Sequence, residues 1–200
     1  SSNDYLGLSG DLELQRRFFA ELPGDRFLMS NPSSRLMTGN STDYEEVEKA
    51  VASLYQGSRK ATILSSGYLV NSGVLPAMTA KGDLILADKL VHASIIDGLR
   101  LCECEWQRFN HNDMEHLERL VAKNRGACKN IWVVAESVYS MDGDIAPIKQ
   151  LVELKHKYGL NLYLDEAHAF GVMGSNGAGI ASEQGVDQEF EITVATSGNA

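Results

Sequence analysis

The chain is 200 residues long and 44% hydrophobic, and its 18 Lys and Arg stand against 27 Asp and Glu, a net charge of −9. That acidic balance excludes nucleic acid and anionic membrane as main partners, since both need clustered Lys and Arg. No apolar run approaches the length of a membrane span, no signal peptide is expected, and a sparse set of three cysteines fits a reduced, cytoplasmic setting.

Taken in chain order, Ser1 to Gly10 reads as an extended arm that must pack on something else. Asp11 to Leu22 has a helical pattern with Leu12, Phe18, Phe19 and Leu22 on one face, ended by Pro23-Gly24. Asn31 to Thr42 is a polar loop. Thr42 with Glu45 has the form of a capping box opening a helix, and Val47, Ala50, Val51 and Leu54 are its expected core face. Ala61 to Ser65 reads as a short apolar strand. Ser66-Gly67-Tyr68 turns out of it into a helix to Ala80, and the free N–H groups at such a turn suit an anion.

Leu84 to Asp88 is the next strand, and His92 sits just past its end before a helix from Ser94 to Leu101. Cys102 and Cys104 are two apart, which places both thiols on one face of a strand. Glu103 to Phe109 is expected as an edge strand and Met114 to Lys123 as a solvated helix, flanked by His111 and His116 as surface histidines. Ile131 to Ala135 is strongly strand-like and runs into a polar loop from Glu136 to Asp144. Pro147 opens a helix to Tyr158, with Ile148, Leu151, Val152 and Leu154 inward. Leu160 to Leu164 is a strand ending on Asp165, followed by His168 and a loop holding Gly171, Gly174, Gly177 and Gly179. Ile192 to Ala195 is the last strand. Short apolar strands alternating with helices predict an α/β fold of three layers, a mostly parallel sheet flanked by helices.

In such a sheet, ligands lie beyond the carboxyl ends of the strands. The residues expected there are Ser66, Gly67, Tyr68, His92, Glu136, Ser140, Asp165, His168 and Thr196. They lack the tight ligand spacing of a metal site and contain no G-x-S-x-G nucleophile elbow. Asp165-Glu166-Ala167-His168 spells the DEAH of a helicase, but the chain has no Gly-Lys dipeptide and so no P-loop. A flat, anionic, pyridine-type cofactor suits the set better. Asp165 would keep a ring nitrogen protonated, His168 would meet a ring hydroxyl, His92 would stack on the ring, and Gly67 with Thr196 would hold a phosphate.

These residues lie in stretches that resemble the α-oxoamine synthases, a family of fold-type I pyridoxal-phosphate enzymes. The likeness covers SSNDYLGLS, SSRLMTGNSTDYEEVE, SSGYLVNSGVL, DKLVHASIIDG, AESVYSMDGDIAPI and LYLDEAHAFGVMGSNGAG, in order. The resemblance implies the large domain of that fold over residues 31–200, preceded by an arm and helix at 1–30, with a C-terminal domain expected beyond and a homodimer as the assembly. It implies pyridoxal 5'-phosphate as cofactor, and an amino acid and an acyl-CoA (or acyl carrier protein) as substrates of a decarboxylative condensation. The loop SSRLMTGNSTDY is nearest the biotin-pathway branch, which joins L-alanine to a pimeloyl thioester, although Asp43-Tyr44 stand where many relatives carry His. Carried over to this chain, the family pattern puts Asn3 near the substrate, His92 on the ring and near the substrate, and Ser140 and His168 at the ring hydroxyl. It puts Gly67 and Tyr68 at the cofactor, with Tyr68 near the phosphate end, Thr196 at the phosphate, Asp165 at the ring nitrogen and Glu136 beneath; Ser66 belongs to the same cofactor-binding set.

One position departs from the family. Where the family reads T-x-G-K, this chain reads Thr196-Ser197-Gly198-Asn199, and no lysine follows Lys157. Asn199 therefore occupies the place of the catalytic lysine, and an amide can neither bond covalently to the cofactor aldehyde nor take a proton from the amino acid. A substitution in an otherwise normal enzyme, a silent partner subunit, and a chain end unlike the protein's own are the three readings. The retained Asp165, His168 and His92 favour the first.

Overall fold

The computed structural model describes residues 2–22, 24 and 30–198; Ser1, Pro23 and Asn199 lie outside the described residues. Among the described residues five strands form one sheet: β1 (Leu84–Asp88), β2 (Glu105–Phe109), β3 (Ile131–Glu136), β4 (Asn161–Asp165) and β5 (Ile192–Val194). Their order is β2-β1-β3-β4-β5, and every pairing is parallel. The three-layer α/β expectation holds, with β2 at one edge as its more polar sequence suggests.

The helices are α1 (Leu12–Glu21), α2 (Thr42–Ser53), α3 (Gly67–Met78), α4 (Ala93–Leu101), α5 (Met114–Asn124), α6 (Ile148–Tyr158) and the short α7 (Ile180–Glu183). Alternation along the strands divides the core in two. Leu84, Leu86, Val133, Ala135, Leu162 and Leu164 face α5 and α6, where the expected Ile148, Leu151, Val152 and Leu154 are all buried. Ile85, Ala87, Trp132, Val134, Tyr163 and Val194 face α3 and α4. Those two helices approach closely at Gly98, where a Cβ would collide with the Asn71 carbonyl and stand 3.1 Å from Leu75 Cδ1.

Several expectations are corrected. Ala61 to Ser65 forms no strand among the described residues; together with Ile192 and Thr193 of β5 it lines a cavity of about 680 Å³. Ser41, not Thr42, is the N-cap of α2, and no side chain caps it. No residue of α2 is buried, and Val47 is exposed; the helix is held instead by Glu48, which accepts from Arg35 Nη1 at 2.7 Å and from the Ile63 N–H at 2.8 Å. The apolar face of α1 is also exposed, at Leu12, Phe18 and Phe19. Pro147 is the cap of α6 rather than its first residue. Cys102 caps α4 and Cys104 precedes β2, so the two thiols share no strand. His111 and His116 are half-buried rather than on the surface. Among the described residues no helix is long and apolar enough to cross a membrane.

The parallel register sets the site. Glu136 at the end of β3 pairs with Asp165 at the end of β4, and Asp165 pairs with Val194 at the end of β5. Asp88 ends the neighbouring strand β1. Three carboxylates thus stand along one edge of the sheet.

Candidate active site

Asp165 is 5% exposed. Its Oδ1 accepts the Ala167 N–H at 3.0 Å and its Oδ2 accepts from Asn71 Nδ2 at 2.8 Å. Burial pushes its carboxyl above the usual range, against the pull of those two bonds and of His168 and His92 nearby. Among the described residues no Lys or Arg pairs with it. A desolvated carboxylate without a counter-charge is a place for a cationic N–H.

Asn71 is the hub that sequence reading missed. It projects from the inner face of α3, is 2% exposed, and also donates to Ser94 Oγ at 3.0 Å and accepts from the Tyr163 hydroxyl at 2.7 Å. Ser94 in turn lies 2.8 Å from His92 Nδ1, and the Ser94 N–H donates to the same nitrogen at 3.2 Å. Nδ1 of His92 is therefore an acceptor, which leaves its proton on Nε2. One chain of bonds thus ties Asp165 to His92, and an asparagine inside the apolar run LVNSGVL was its signal.

Burial lowers the pKa of His168, with Asp165 opposing and His92 reinforcing the shift. Its Nδ1 lies 2.9 Å from the Tyr5 hydroxyl, and the two rings meet edge to face at 6.1 Å. The arm, expected to lack a local partner, thus packs on the crevice of its own chain. Asn3 lies two residues before that contact. Burial favours the neutral imidazole, and a proton on Nε2 is the tautomer in which the Tyr5 hydroxyl donates to Nδ1; that tautomer is the expected one. In Tyr5→Phe, ¹⁵N shifts of His168 are expected to show a mixture of tautomers where the wild type shows one. A single unchanged tautomer in the variant would refute the assignment.

The expected anion end draws on two elements. Ser66 is the N-cap of α3 and accepts the Leu69 N–H at 3.3 Å, so the N–H groups of the first turn point outward from Gly67 and Tyr68. A Cβ on Gly67 would stand 3.8 Å from Thr196 Cβ, which brings the turn after β5 beside this helix end. Both line the 680 Å³ cavity. The Tyr68 hydroxyl donates to Asp97, which raises its pKa.

Glu136 lies beneath, 2% exposed. Burial, with Asp165 and Asp88 adding to it, pushes its carboxyl up to about 8. It accepts the His92 N–H, and the backbone of Ser140 faces the same carboxylate. The middle residues of the DEAH spelling have a structural use. Glu166 accepts from Ser137 Oγ at 2.7 Å, the Ile180 N–H at 3.1 Å and the Ala181 N–H at 2.9 Å. Gly179, at φ 91°, passes so close that a Cβ would strike this carboxylate.

The structure therefore gathers His92, Glu136, Ser140, Asp165 and His168 at one sheet edge, with Ser66, Gly67, Tyr68 and Thr196 beside them. Asn199 lies outside the described residues. A buried carboxylate lacking a cation, neutral imidazoles and a helix N-terminus form a donor set that fits a ring with a protonated nitrogen, a hydroxyl and a phosphate.

The chain is 49% identical over 201 residues to proteins named "Putative 8-amino-7-oxononanoate synthase" from Neisseria meningitidis and Haemophilus influenzae; the match takes in 100% of this chain and 53% of each relative. It thus spans about half the length of the curated relatives it matches. Serine palmitoyltransferase of S. paucimobilis, solved with a bound PLP-myriocin adduct, superposes with a TM-score of 0.87 at 33% identity over 98% of this chain and 48% of that one. An 8-amino-7-oxononanoate synthase from Francisella tularensis superposes with a TM-score of 0.68 at 26% identity over 96% and 50%. The parallel sheet and its flanking helices are the fold-type I architecture of these transferases. The family described as aminotransferase class I and II matches residues 1–198, and the chain belongs to that family.

Proposed function

We propose that the protein binds pyridoxal phosphate at the carboxyl ends of its strands. It would serve there in the decarboxylative condensation of an amino acid with an acyl thioester. The reading extends to L-alanine with pimeloyl-CoA (or pimeloyl carrier protein), giving 8-amino-7-oxononanoate in biotin biosynthesis, on the strength of the relatives' names. The observation that carries it is Asp165, a buried carboxylate with no counter-charge among the described residues and two histidines beside it.

When bound, the cofactor supplies an electron sink for a bond breaking at the amino-acid α-carbon. The chain's residues hold it there. Asp165 keeps the ring nitrogen protonated, and His168 and Ser140 meet the ring hydroxyl. His92 covers the ring face on the substrate side, while Ser66, Gly67, Tyr68 and Thr196 take the phosphate. Glu136 supports His92 and Ser140, and Asn3 approaches the substrate. A homodimer would cover the exposed face of α1, and a C-terminal domain would complete the substrate pocket.

The palmitoyl and serine-using relatives give a second substrate reading, favoured by the superposition on serine palmitoyltransferase. Product analysis decides between them, with alanine, glycine and serine each offered against pimeloyl-, acetyl-, succinyl- and palmitoyl-CoA. As written, with Asn199, the chain is expected to bind pyridoxal phosphate without turnover, as a silent partner subunit also would. Absorbance on adding the cofactor tests binding, and intact mass after borohydride tests covalent attachment. A fixed adduct at residue 199, or product formed without the lysine, would defeat this expectation.

A further inference from the structure

We propose that His111 is a positioning residue: a charged imidazole that pins the loop 137–147, and Ser140 within it, to the carboxyl end of β1. The proposal rests on the proposed function only for what that loop does, not for the clamp itself.

Both ring nitrogens of His111 face carboxylates. Nδ1 lies 2.8 Å from Asp88 Oδ1 and Nε2 lies 2.6 Å from Asp144 Oδ2. A neutral imidazole has one N–H and can donate to only one of them; both bonds require the imidazolium. Asp88 is almost fully buried at the end of β1, while the Asp144 side chain is 38% exposed. Asn112 completes the clamp. Its N–H donates to Asp88 Oδ2 at 2.9 Å and its amide to Asp144 Oδ2 at 2.7 Å. It adopts φ 52°, the only positive φ outside glycine among the described residues, a conformation asparagine tolerates better than most.

The loop held by this clamp is tight. The Tyr139 N–H donates to the Asp144 carbonyl at 3.0 Å, Gly143 closes back on Tyr139 at 2.8 Å, and Val138 bridges Ile145. The Tyr139 ring meets His111 edge-on at 4.4 Å. Pinning Asp144 therefore fixes Tyr139 and its neighbour Ser140, whose backbone faces Glu136 beneath the site.

The groups facing His111 are Asp88 from β1, Asp144 and the neutral Tyr139 from the loop, and Asn112 beside it, with Glu136, whose own carboxyl is pushed up to about 8, next beyond Asp88. Burial works against the imidazolium, but the hydrogen bonds to Asp88 and Asp144 outweigh it and raise the pKa. With a raised folded-state pKa, the clamp is complete below the ordinary imidazole value and is lost as pH rises through the raised one. Above it, one carboxylate loses its imidazole donor and keeps only its other bonds, those from Asn112 among them.

The test is hydrogen exchange of the peptide spanning 137–147 in the full-length protein, from about pH 6 to about pH 9 so as to bracket an imidazole, corrected for the intrinsic base dependence of exchange. Protection is expected to fall about tenfold to a hundredfold across that window, as a charge-assisted bond is lost. His111→Gln is expected to give low, flat protection. Asp144→Asn is expected to give high, flat protection, because the new amide can donate to a neutral Nε2 and so rescue the clamp; a merely structural role predicts no such rescue. Circular dichroism checks that each variant is folded, and if His111→Gln is not, Asp144→Asn decides. Wild-type protection without a pH step, or a step that survives in Asp144→Asn, would overturn the proposal. Pyridoxal-phosphate titration in parallel separates the two readings, since a wild type that shows the step but binds no cofactor overturns only the proposed function.

Discussion

Asn199→Lys in the full-length protein is expected to raise turnover at least about a hundredfold, the lower bound for a well-placed general base. The reason lies in the register. Val194 ends β5 directly beside Asp165, and the Thr196 turn lies beside the N-terminus of α3. Position 199 is five residues on from Val194, at most about 18 Å along a fully extended chain, a span that does not keep an amine there from the crevice. The rest of the set is in place: a buried Asp165 and two histidines tied to it by proximity or by hydrogen bonds through Asn71. The amide of Asn199 can donate a hydrogen bond but can neither attack a carbonyl nor accept a proton at neutral pH. The variant should fix one cofactor per chain at residue 199 on borohydride reduction, seen by peptide mass, and gain condensation activity in the same preparation. Reduction without fixation, or no gain in rate, would remove Asn199 from the role the family pattern gives it.

Asn71→Leu is expected to cost about 3 kcal/mol or more of stability, since removing the amide strands the partners of a buried network at about 1–3 kcal/mol each. The groups stranded are Asp165 Oδ2 and the Tyr163 hydroxyl, while Ser94 Oγ keeps its contact with His92 Nδ1. For a chain of this size the loss corresponds to a fall in Tm of about 6–12 °C. Cofactor affinity should fall with it, because Asp165 loses its only side-chain donor among the described residues and His92 loses the bonded path that orients it. Tyr163→Phe, which removes one hydroxyl and leaves the amide with two partners, should cost about 1 kcal/mol by the same reckoning. Thermal unfolding of the two variants side by side is the check. An Asn71→Leu protein that melts within 2 °C of wild type would mean that water or rearrangement satisfies the network, and the hub would lose its standing.

Five of the six expected strands exist within a residue or two of their expected bounds, because continuous apolar runs bounded by turn residues have few other homes than a sheet covered on both faces. Ala61 to Ser65 has the same composition and is not a strand. A strand needs a ladder partner, and composition says nothing about whether one lies alongside. The faces of α1 and α2 failed for a related reason: helical spacing shows which residues would be buried together, not what is available to bury them. His111 looked like a surface histidine because Asp88 and Asp144 stand 23 and 33 residues away in the chain.

The sequence by itself determined the layered α/β class and the strands that end at Asp88, Glu136 and Asp165, and it places Asn199 where the family pattern has a lysine. These are local properties: an apolar run, the residue that ends it, and the turn that follows. Tertiary structure alone decided how the groups are wired: Asn71 between Asp165 and His92, Tyr5 on His168, Glu166 beneath Gly179, and His111 between two carboxylates. Each of those contacts joins segments far apart in the chain, except that Glu166 and Gly179 share a loop, and the link through Asn71 depends on the close approach of α3 to α4 at Gly98. Spacing along a sequence carries no trace of such distances until the sheet has brought the strand ends together.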